Sequence, residues 1–208
     1  MMAHGLKRRG MGLVLSAPSG GGKSTLSRLL LERDTLLTMS VSLTTRPKRH
    51  GEEEGQDYYF VSQGEFIRQR DTGDLLEWAE VYGHHYGTPR RLVEALLAQG
   101  KDVLFDVDGQ GMRQLRVSLQ DNMVSIFMMP STLRELKRRL EGRGVEKTTE
   151  MERRISAFSS QLATAEHYDY VVLNDDVETC YKQLHEILNA ERKKRIRYHN
   201  LKEFIASM

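Results

Sequence analysis

The chain has 208 residues, of which 39% are hydrophobic, 29% charged and 7% aromatic, an ordinary composition for a globular protein. Its 31 basic and 29 acidic side chains leave a formal net charge of +2, which is too balanced to indicate a nucleic acid partner. The single cysteine, Cys180, excludes an internal disulfide and favours a reducing compartment. No apolar run approaches the roughly 20 residues that span a bilayer, so we expect a cytoplasmic protein without a membrane anchor.

The chain begins with a basic segment, MMAHGLKRRG, that no apolar stretch of signal-peptide length follows. We expect residues 1–10 to form a flexible tail. Residues 11–17 predict a buried strand, and the leucines of STLSRLLLER, at helical spacing, predict a helix after it. The glycine-rich segment PSGGG lies between the two, so the order is strand, glycine loop, helix.

A phosphate-binding loop is predicted at residues 17–24, APSGGGKS, which match the pattern G-x-x-x-x-G-K-[ST] except at the first position. Glycines there let backbone N–H groups turn towards phosphate oxygens, and the following helix adds the positive end of its dipole. Lys23 would contact the β- and γ-phosphates of ATP, and the Ser24 hydroxyl would bind Mg²⁺. The alternative, a glycine-rich turn with an accidental GKS, is disfavoured by the flanking strand and helix. The predicted ATP site comprises Ser19, Gly20, Gly21, Gly22, Lys23, Ser24 and Thr25.

Residues 39–88 differ from the rest of the chain, because short runs that mix polar and apolar side chains alternate with turns such as HGEEEG. Ser62 followed by Glu65 has capping-box spacing and predicts one short helix among them. We interpret this stretch as a small mixed β lobe, inserted into an α/β core that comprises residues 11–38 and 89–208.

Further elements of the core are predicted after this lobe. Residues 90–99 indicate a helix that Gly100 ends. Short apolar runs, each followed by a helical pattern, predict buried parallel strands at residues 103–107, 124–129 and 170–173. Pairs with capping-box-like spacing predict helix starts at Thr132 with Glu135, Thr149 with Glu152, and Asp175 with Glu178. Strands alternating with helices indicate a three-layer α/β fold.

The last predicted helix leads into a basic stretch, residues 192–197. Such a stretch could contact a nucleic acid. A basic helix end more commonly complements the helix dipole and is solvated, and this is the interpretation that we adopt.

A second basic cluster, TTRPKR, contains Arg46 and Arg49, and Pro47 biases Arg46 towards an extended conformation. Two arginines together with the phenols of Tyr58 and Tyr86, each beside a turn, would suit a phosphate monoester bound away from the glycine loop. A cluster of solvated charges is the alternative interpretation.

The segment DVDGQG places Asp106 and Asp108 directly after a predicted strand. In phosphate-loop enzymes a carboxylate at such a strand end orders Mg²⁺ and its waters, which predicts an indirect role for Asp106 at the metal. The alternative is structural: Asp108 would cap a helix, with a tight turn at Gly109 and Gly111.

An arginine-rich lid is predicted at about residues 136–156, around a Gly-x-Gly hinge. A mobile lid of this kind can close over a transferring phosphoryl group and neutralise its charge. An exposed helix face, paired with its own glutamates, explains the pattern equally well. The arginines concerned are Arg138, Arg139, Arg143, Arg153 and Arg154.

Six motifs in this order resemble the guanylate kinases, bacterial ones in particular: SAPSGGGKST, SVSLTTRPKRHGEEEGQDYYFV, EWAEVYGHHYGT, DVDGQG, RRLEGRG and VVLNDD. The resemblance covers about residues 11–192. It implies a phosphate-loop core with a GMP-binding lobe and an arginine-bearing lid. Two residues depart from the general patterns: Ala17 replaces the first glycine of the loop, and Gly109 stands where a bulkier residue is common.

The resemblance also implies roles for individual residues. Arg46, Arg49, Tyr58 and Tyr86 would bind the GMP phosphate. Guanine would be recognised by Ser42, Glu77, Thr88 and Asp108, with Asp106 as a further candidate. Near ATP the resemblance implies three lid arginines and one asparagine beside adenine: Arg139, Arg143, Arg154 and Asn174.

The implied reaction is a direct, Mg²⁺-assisted transfer of the γ-phosphoryl group from ATP to GMP, and to dGMP as well. Lys23, Arg139, Arg143 and Arg154 would be its catalytic residues. Two other interpretations stay open: an inactive scaffold module of the same fold that binds a peptide, and a phosphate-loop kinase for a different phosphorylated acceptor. The sequence leaves the oligomeric state undecided, a homo-oligomer included.

Overall fold

Two β-sheets organise the protein in the computed structural model, which describes residues 5–18, 21–141 and 162–208. The first sheet is entirely parallel and has five strands in the order β2-β7-β1-β8-β9. The second has four strands in the order β4-β3-β6-β5 and mixes parallel and antiparallel pairs. The strands are β1 Gly12–Ser16, β2 Leu37–Met39, β3 Ser42–Thr44, β4 Tyr58–Phe60, β5 Leu75–Val81, β6 His84–Pro89, β7 Asp102–Phe105, β8 Met123–Met129 and β9 Tyr170–Leu173.

The described α-helices lie between and after these strands. They are α1 Lys23–Arg33, α2 Gln63–Asp71, α3 Arg90–Ala98, α4 Gly109–Leu119, α5 Leu133–Glu141, α6 Val177–Arg192 and α7 Leu201–Ala206. Ser62 and Thr132 cap α2 and α5 as the sequence predicts, since their hydroxyls accept hydrogen bonds from the Glu65 and Glu135 backbones, both at 3.2 Å. The predicted start at Asp175 is wrong by one residue. Asp176 caps α6 instead, accepting from the Thr179 backbone at 2.8 Å.

The parallel sheet is buried on both faces, which explains the continuous apolar runs of its central strands. Apolar residues of α1 and α6 pack on one face. Those of α3 and α4 cover the other. The predicted three-layer α/β fold and its parallel strands are therefore confirmed. The predicted start at Thr149 lies outside the described residues.

Helix α4 joins the second sheet to the parallel core. The Gln114 side chain bonds both backbone groups of Trp78, accepting from its N–H at 3.0 Å and donating to its C=O at 2.9 Å. The Ser118 hydroxyl donates to the Leu76 carbonyl at 2.7 Å. Strand β5 is thus fixed to the core on both sides of residue 77.

Residues 7–10 and the end of α6 meet at the amino ends of the parallel strands, opposite the glycine loop. The carboxylate of Asp102 is fully buried and pairs with Arg8 and with Arg192, each at 2.6 Å. Arg192 also pairs with the buried Asp34 at 2.8 Å. Within the segment that the sequence predicts as a flexible tail, the Lys7 backbone N–H donates to the Asn200 side chain at 2.7 Å and the Arg8 guanidinium donates to Asp102 at 2.6 Å. Both contacts join positions that are far apart in sequence.

The basic stretch at the end of α6 is likewise not simply solvated. Arg192 is 8% exposed, and Arg197 is 1% exposed and donates to the Asp121 carbonyl at 2.7 Å. The stretch contains buried charges whose partners lie on other elements, which helical periodicity does not reveal.

Replacing Arg192 by methionine should lower the free energy of unfolding by about 3 kcal/mol, because two buried carboxylates lose a cation. Arg195, in the same basic stretch, is exposed, and Arg195→Met should change it by less than about 0.5 kcal/mol. Urea unfolding of both variants measures the difference. Equal stabilities would mean that the ion-pair cluster contributes nothing to the fold.

Candidate active site

The glycine loop connects the end of β1 to the start of α1. Gly21 donates a backbone hydrogen bond to the Pro18 carbonyl at 2.8 Å. Gly22 has φ = +89°, and a Cβ there would come within 2.3 Å of the Asn174 side-chain nitrogen. Glycine is therefore required at this position by both conformation and space. Ser19 and Gly20 lie outside the described residues, and Thr25 is exposed in the first turn of α1.

Asn174 holds the backbone of this loop through a side-chain hydrogen bond, a structural role that the sequence did not indicate. Its side chain is 1% exposed and donates to the Gly21 carbonyl at 2.8 Å. Its backbone N–H donates to the Met129 carbonyl at 2.8 Å, which fixes the residue at the end of β9. The contact seen in the structure is with the loop backbone, whereas the sequence resemblance associates Asn174 with adenine.

Lys23 and Asp106 form an ion pair at the mouth of the site. Lys23 is the first residue of α1, and Asp106 follows the last residue of β7, so the pair joins two neighbouring elements. A cleft of about 350 Å³ opens beside it, lined by Ser24 as well as by both partners. Phosphate oxygens entering this cleft would meet a cation and a hydroxyl.

A second cleft, of about 320 Å³, lies between the mixed sheet and the end of β7. Asp106 lines both clefts, so they adjoin at that carboxylate. Six of the nine residues that the sequence associates with GMP line the second cleft: Ser42, Tyr58, Glu77, Tyr86, Asp106 and Asp108.

Glu77 contributes a buried carboxylate to this second cleft. It is 6% exposed and accepts a hydrogen bond from the fully buried Thr88 hydroxyl at 2.6 Å. Burial raises the pKa of Glu77, and the negative charge of Asp108 raises it further, while the Thr88 hydrogen bond opposes both effects. A ligand that donates hydrogen bonds here would satisfy an anion that water scarcely reaches.

Asp108 caps α4, accepting from the backbones of Gln110 at 3.0 Å and Gly111 at 2.9 Å. The predicted cap is therefore confirmed, whereas Gly109 and Gly111 lie inside α4 and not in a tight turn. Asp108 also lines the cleft. Gly111 allows the close approach of α4 to Glu77, because a Cβ there would lie 3.2 Å from the Glu77 carboxylate and 2.8 Å from Val107.

Arg46 is not a solvated charge. It is 8% exposed, lies over the Tyr58 ring with 5.4 Å to the centroid, and pairs with Glu52 at 2.7 Å. Hydrogen bonds to Glu52 and Tyr86 raise the pKa of Arg46, and the bond from Arg46 lowers that of Glu52. Arg49 is exposed, as a solvated cluster would have it.

The two tyrosines of the cleft lie edge to face, with ring centroids 5.9 Å apart. Burial raises the pKa of the Tyr58 phenol, so that it stays a hydrogen-bond donor at neutral pH.

Glu52 was missed in the sequence interpretation. A signal was available, because Glu52 in HGEEEG follows Arg49 by three residues and Arg46 by six.

The lid falls largely beyond the part of the chain that the structure describes. Arg138 lies on α5 and pairs with Glu135 at 2.7 Å. Arg139 belongs to the same helix, and Arg143 and Arg154 lie outside the described residues. In the described ranges no helix is both long and apolar enough to cross a membrane.

Comparisons with known proteins agree on one family. The model of the guanylate kinase family, described as "Guanylate kinase", matches residues 9–191. A guanylate kinase of Rhodopseudomonas palustris (strain BisB18) is 48% identical over 99% of this chain and 95% of its own. One of Agrobacterium fabrum is 45% identical over 98% and 92%. The crystal structure of guanylate kinase from Anaplasma phagocytophilum has a TM-score of 0.72 at 38% identity, covering 98% of this chain and 97% of that one.

Proposed function

This chain belongs to the guanylate kinase family, and we propose that its two adjoining clefts are the ATP and GMP sites of an enzyme that forms ADP and GDP. It is a nucleoside monophosphate kinase that uses ATP to phosphorylate GMP. The observation that carries the assignment of the clefts is Asp106, which lines both of them. An acceptor held in the second cleft would therefore present its phosphate towards the glycine loop.

Guanine would be recognised in the second cleft by Glu77. A carboxylate accepts from both N1–H and the exocyclic amine of guanine, whereas adenine offers no such pair and would leave the buried anion unsatisfied. The polar groups of Ser42, Thr88 and Asp108 would complete the base site. The proposed contacts are to the base and to the phosphate, so dGMP is an expected second substrate.

The phosphate of GMP would be bound by the guanidinium groups of Arg46 and Arg49 and by the phenols of Tyr58 and Tyr86. The buried Arg46, packed over the Tyr58 ring, would supply a fixed planar donor, and the exposed Arg49 would supply a second cation from the solvent side. We accordingly propose residues 39–88 as the GMP-binding lobe.

Ser24 and Asp106 fit the requirements of Mg²⁺, because both offer oxygen ligands and both line the cleft beside the glycine loop. No cluster of three or more His, Cys, Asp or Glu side chains able to hold a metal occurs in the described residues, so a Mg²⁺ ion here would depend on nucleotide phosphates and water. Ser24 would hold Mg²⁺ directly and Asp106 through water. Bound in this way, Mg²⁺ would neutralise phosphate charge during transfer.

The reaction needs positioning rather than a general base. A phosphate monoester with a second pKa of about 6 is largely dianionic at neutral pH and is already a nucleophile. Lys23 would leave its pairing with Asp106 to contact the β- and γ-phosphates, and Ser19, Thr25 and the backbone N–H groups of Gly20, Gly21 and Gly22 would hold them. Asn174 would complete the ATP site. Arg139, Arg143 and Arg154 would neutralise the transferring group from the lid, whose closure would exclude water.

The decisive test is a coupled ADP-release assay with MgATP against GMP, dGMP, AMP, CMP, UMP and no acceptor. We expect turnover with GMP and dGMP only. ADP release with another nucleotide, or ATP binding without turnover of any, would redirect the assignment to a different acceptor. A protein that binds no ATP would fit the scaffold module instead. Size-exclusion chromatography of the same preparation would give the oligomeric state. We propose the cytoplasm as the location of the reaction.

A further inference from the structure

We propose that Glu52 is a positioning residue of the GMP site, which holds Arg46 so that one edge of its guanidinium group is kept for the phosphate. The proposal rests on the proposed function, because it concerns the arginine that would bind GMP. Neither the motif patterns nor the resemblance assigns Glu52 a role.

The hydrogen bonds of Arg46 divide its guanidinium group into an occupied end and an unused edge. Nη1 donates to the Pro47 carbonyl at 2.8 Å and to Glu52 Oε2 at 3.2 Å, and Nη2 donates to Glu52 Oε1 at 2.7 Å. These bonds use three of the five N–H groups. Among the described residues, Nε and the near side of Nη2 are left for the phosphate and for the Tyr86 phenol, which also interacts with Arg46. These two N–H groups lie along the same edge and have the spacing that binds two oxygens of one phosphate.

Glu52 is itself fixed, so it can act as a support. Its Oε2 accepts from the Arg49 backbone N–H at 2.8 Å, which closes the loop between the two arginines. Its side chain is 19% exposed, and Arg46 is held between Glu52 and the rings of Tyr58 and Phe60. A guanidinium group restrained on several sides has lost most of its rotamer freedom before a phosphate arrives.

The negative charge of Glu52 opposes this benefit, because it lies near the phosphate dianion. Orientation should outweigh repulsion, because an arginine side chain that is free before binding must give up its rotamer freedom when it binds the phosphate. Arg49 would then supply most of the charge that attracts the phosphate. Arg46 would supply the geometry that distinguishes a phosphate from other anions.

The test measures KM for GMP and for ATP, kcat, and the inhibition constant of guanosine, in Glu52→Gln, Arg46→Lys and the double variant. We expect Glu52→Gln to raise KM for GMP about tenfold, with KM for ATP and inhibition by guanosine changed less than about twofold. In the Arg46→Lys background the same change should have less than about a twofold effect, because no planar fork remains to be positioned.

The matched control is Glu53→Gln, since Glu53 is exposed and, within the described part of the chain, its side chain bonds only Gln56, three residues further on. An unaltered KM for GMP in Glu52→Gln, or an equal effect with Lys at position 46, would overturn the proposal. Weaker inhibition by guanosine would also contradict it, because that would mean that the whole lobe is disturbed. Independently, Glu52→Asp keeps a carboxylate on a shorter side chain, and it should recover part of the loss in KM for GMP if positioning is the cause. Failure of the proposed function is separate, since the wild-type chain would then not turn over GMP at all.

Discussion

Lys23→Met is expected to lower kcat by about a thousandfold while the protein stays folded. Lys23 is the first residue of α1 and directly follows the glycine loop. Its ammonium group lines the first cleft. A charge that stabilises developing negative charge in a site closed to water contributes several kcal/mol to the transition state. Methionine preserves the length and the apolar stem of the side chain, so the loss of activity should come from the missing positive charge.

Single-turnover kinetics with saturating MgATP and GMP would measure this effect without interference from product release. Lys202→Met is the matched control, because Lys202 is exposed on α7, and its kcat should equal that of the wild type. Equal thermal unfolding of the two variants would show that the fold is intact. Near-normal turnover by Lys23→Met would remove Lys23 from the mechanism.

Glu77→Gln should reduce kcat/KM for GMP by about 100- to 1000-fold and leave KM for ATP nearly unchanged. The amide keeps one acceptor but turns an N–H donor towards the donors of guanine. Glu80 lies on the same strand with an exposed side chain that approaches the His85 ring at 3.9 Å, and the kinetics of Glu80→Gln should match those of the wild type. Equal losses for GMP and ATP in Glu77→Gln would show that Glu77 supports the structure of the site rather than base recognition.

The same substitution should stabilise the protein at neutral pH. Burial raises the pKa of Glu77 above its value in the unfolded chain, so the folded state favours the protonated form. The stability associated with that proton is complete below the unfolded pKa and is lost as pH rises through the folded pKa. A neutral glutamine avoids this loss and still accepts from Thr88. The melting temperature of Glu77→Gln should therefore exceed that of the wild type at pH 8, by more than it does at pH 5; a lower melting temperature at both pH values would contradict this account.

The fold could be predicted because its signals are local. The strand, glycine loop and helix at residues 11–33 stand together in the sequence, and the buried strands are short apolar runs. Ser62 and Thr132 cap their helices through contacts three residues long. Such patterns depend on backbone hydrogen bonding and periodicity, which a single sequence records directly.

What escaped prediction depends on pairs distant in sequence. The support of the glycine loop by Asn174 joins positions 153 residues apart, and the pairing of Arg8 with Asp102 joins positions 94 apart. A charged residue has the same letter whether its partner is water or a buried carboxylate, so Arg192 was interpreted as solvated. Glu52 was missed for a different reason: its partners are near in sequence, but the surrounding acidic turn looked like an ordinary exposed loop.

The position of β1 in the middle of the parallel sheet has a consequence for how the protein is made. Its hydrogen-bonding partners are β7 and β8, which lie roughly 90 to 110 residues later in the chain. Strand β1 must therefore wait on the ribosome, with its apolar side chains uncovered, until β7 and β8 have been translated. The antiparallel β5–β6 hairpin joins neighbouring strands, so it can pair much earlier during synthesis.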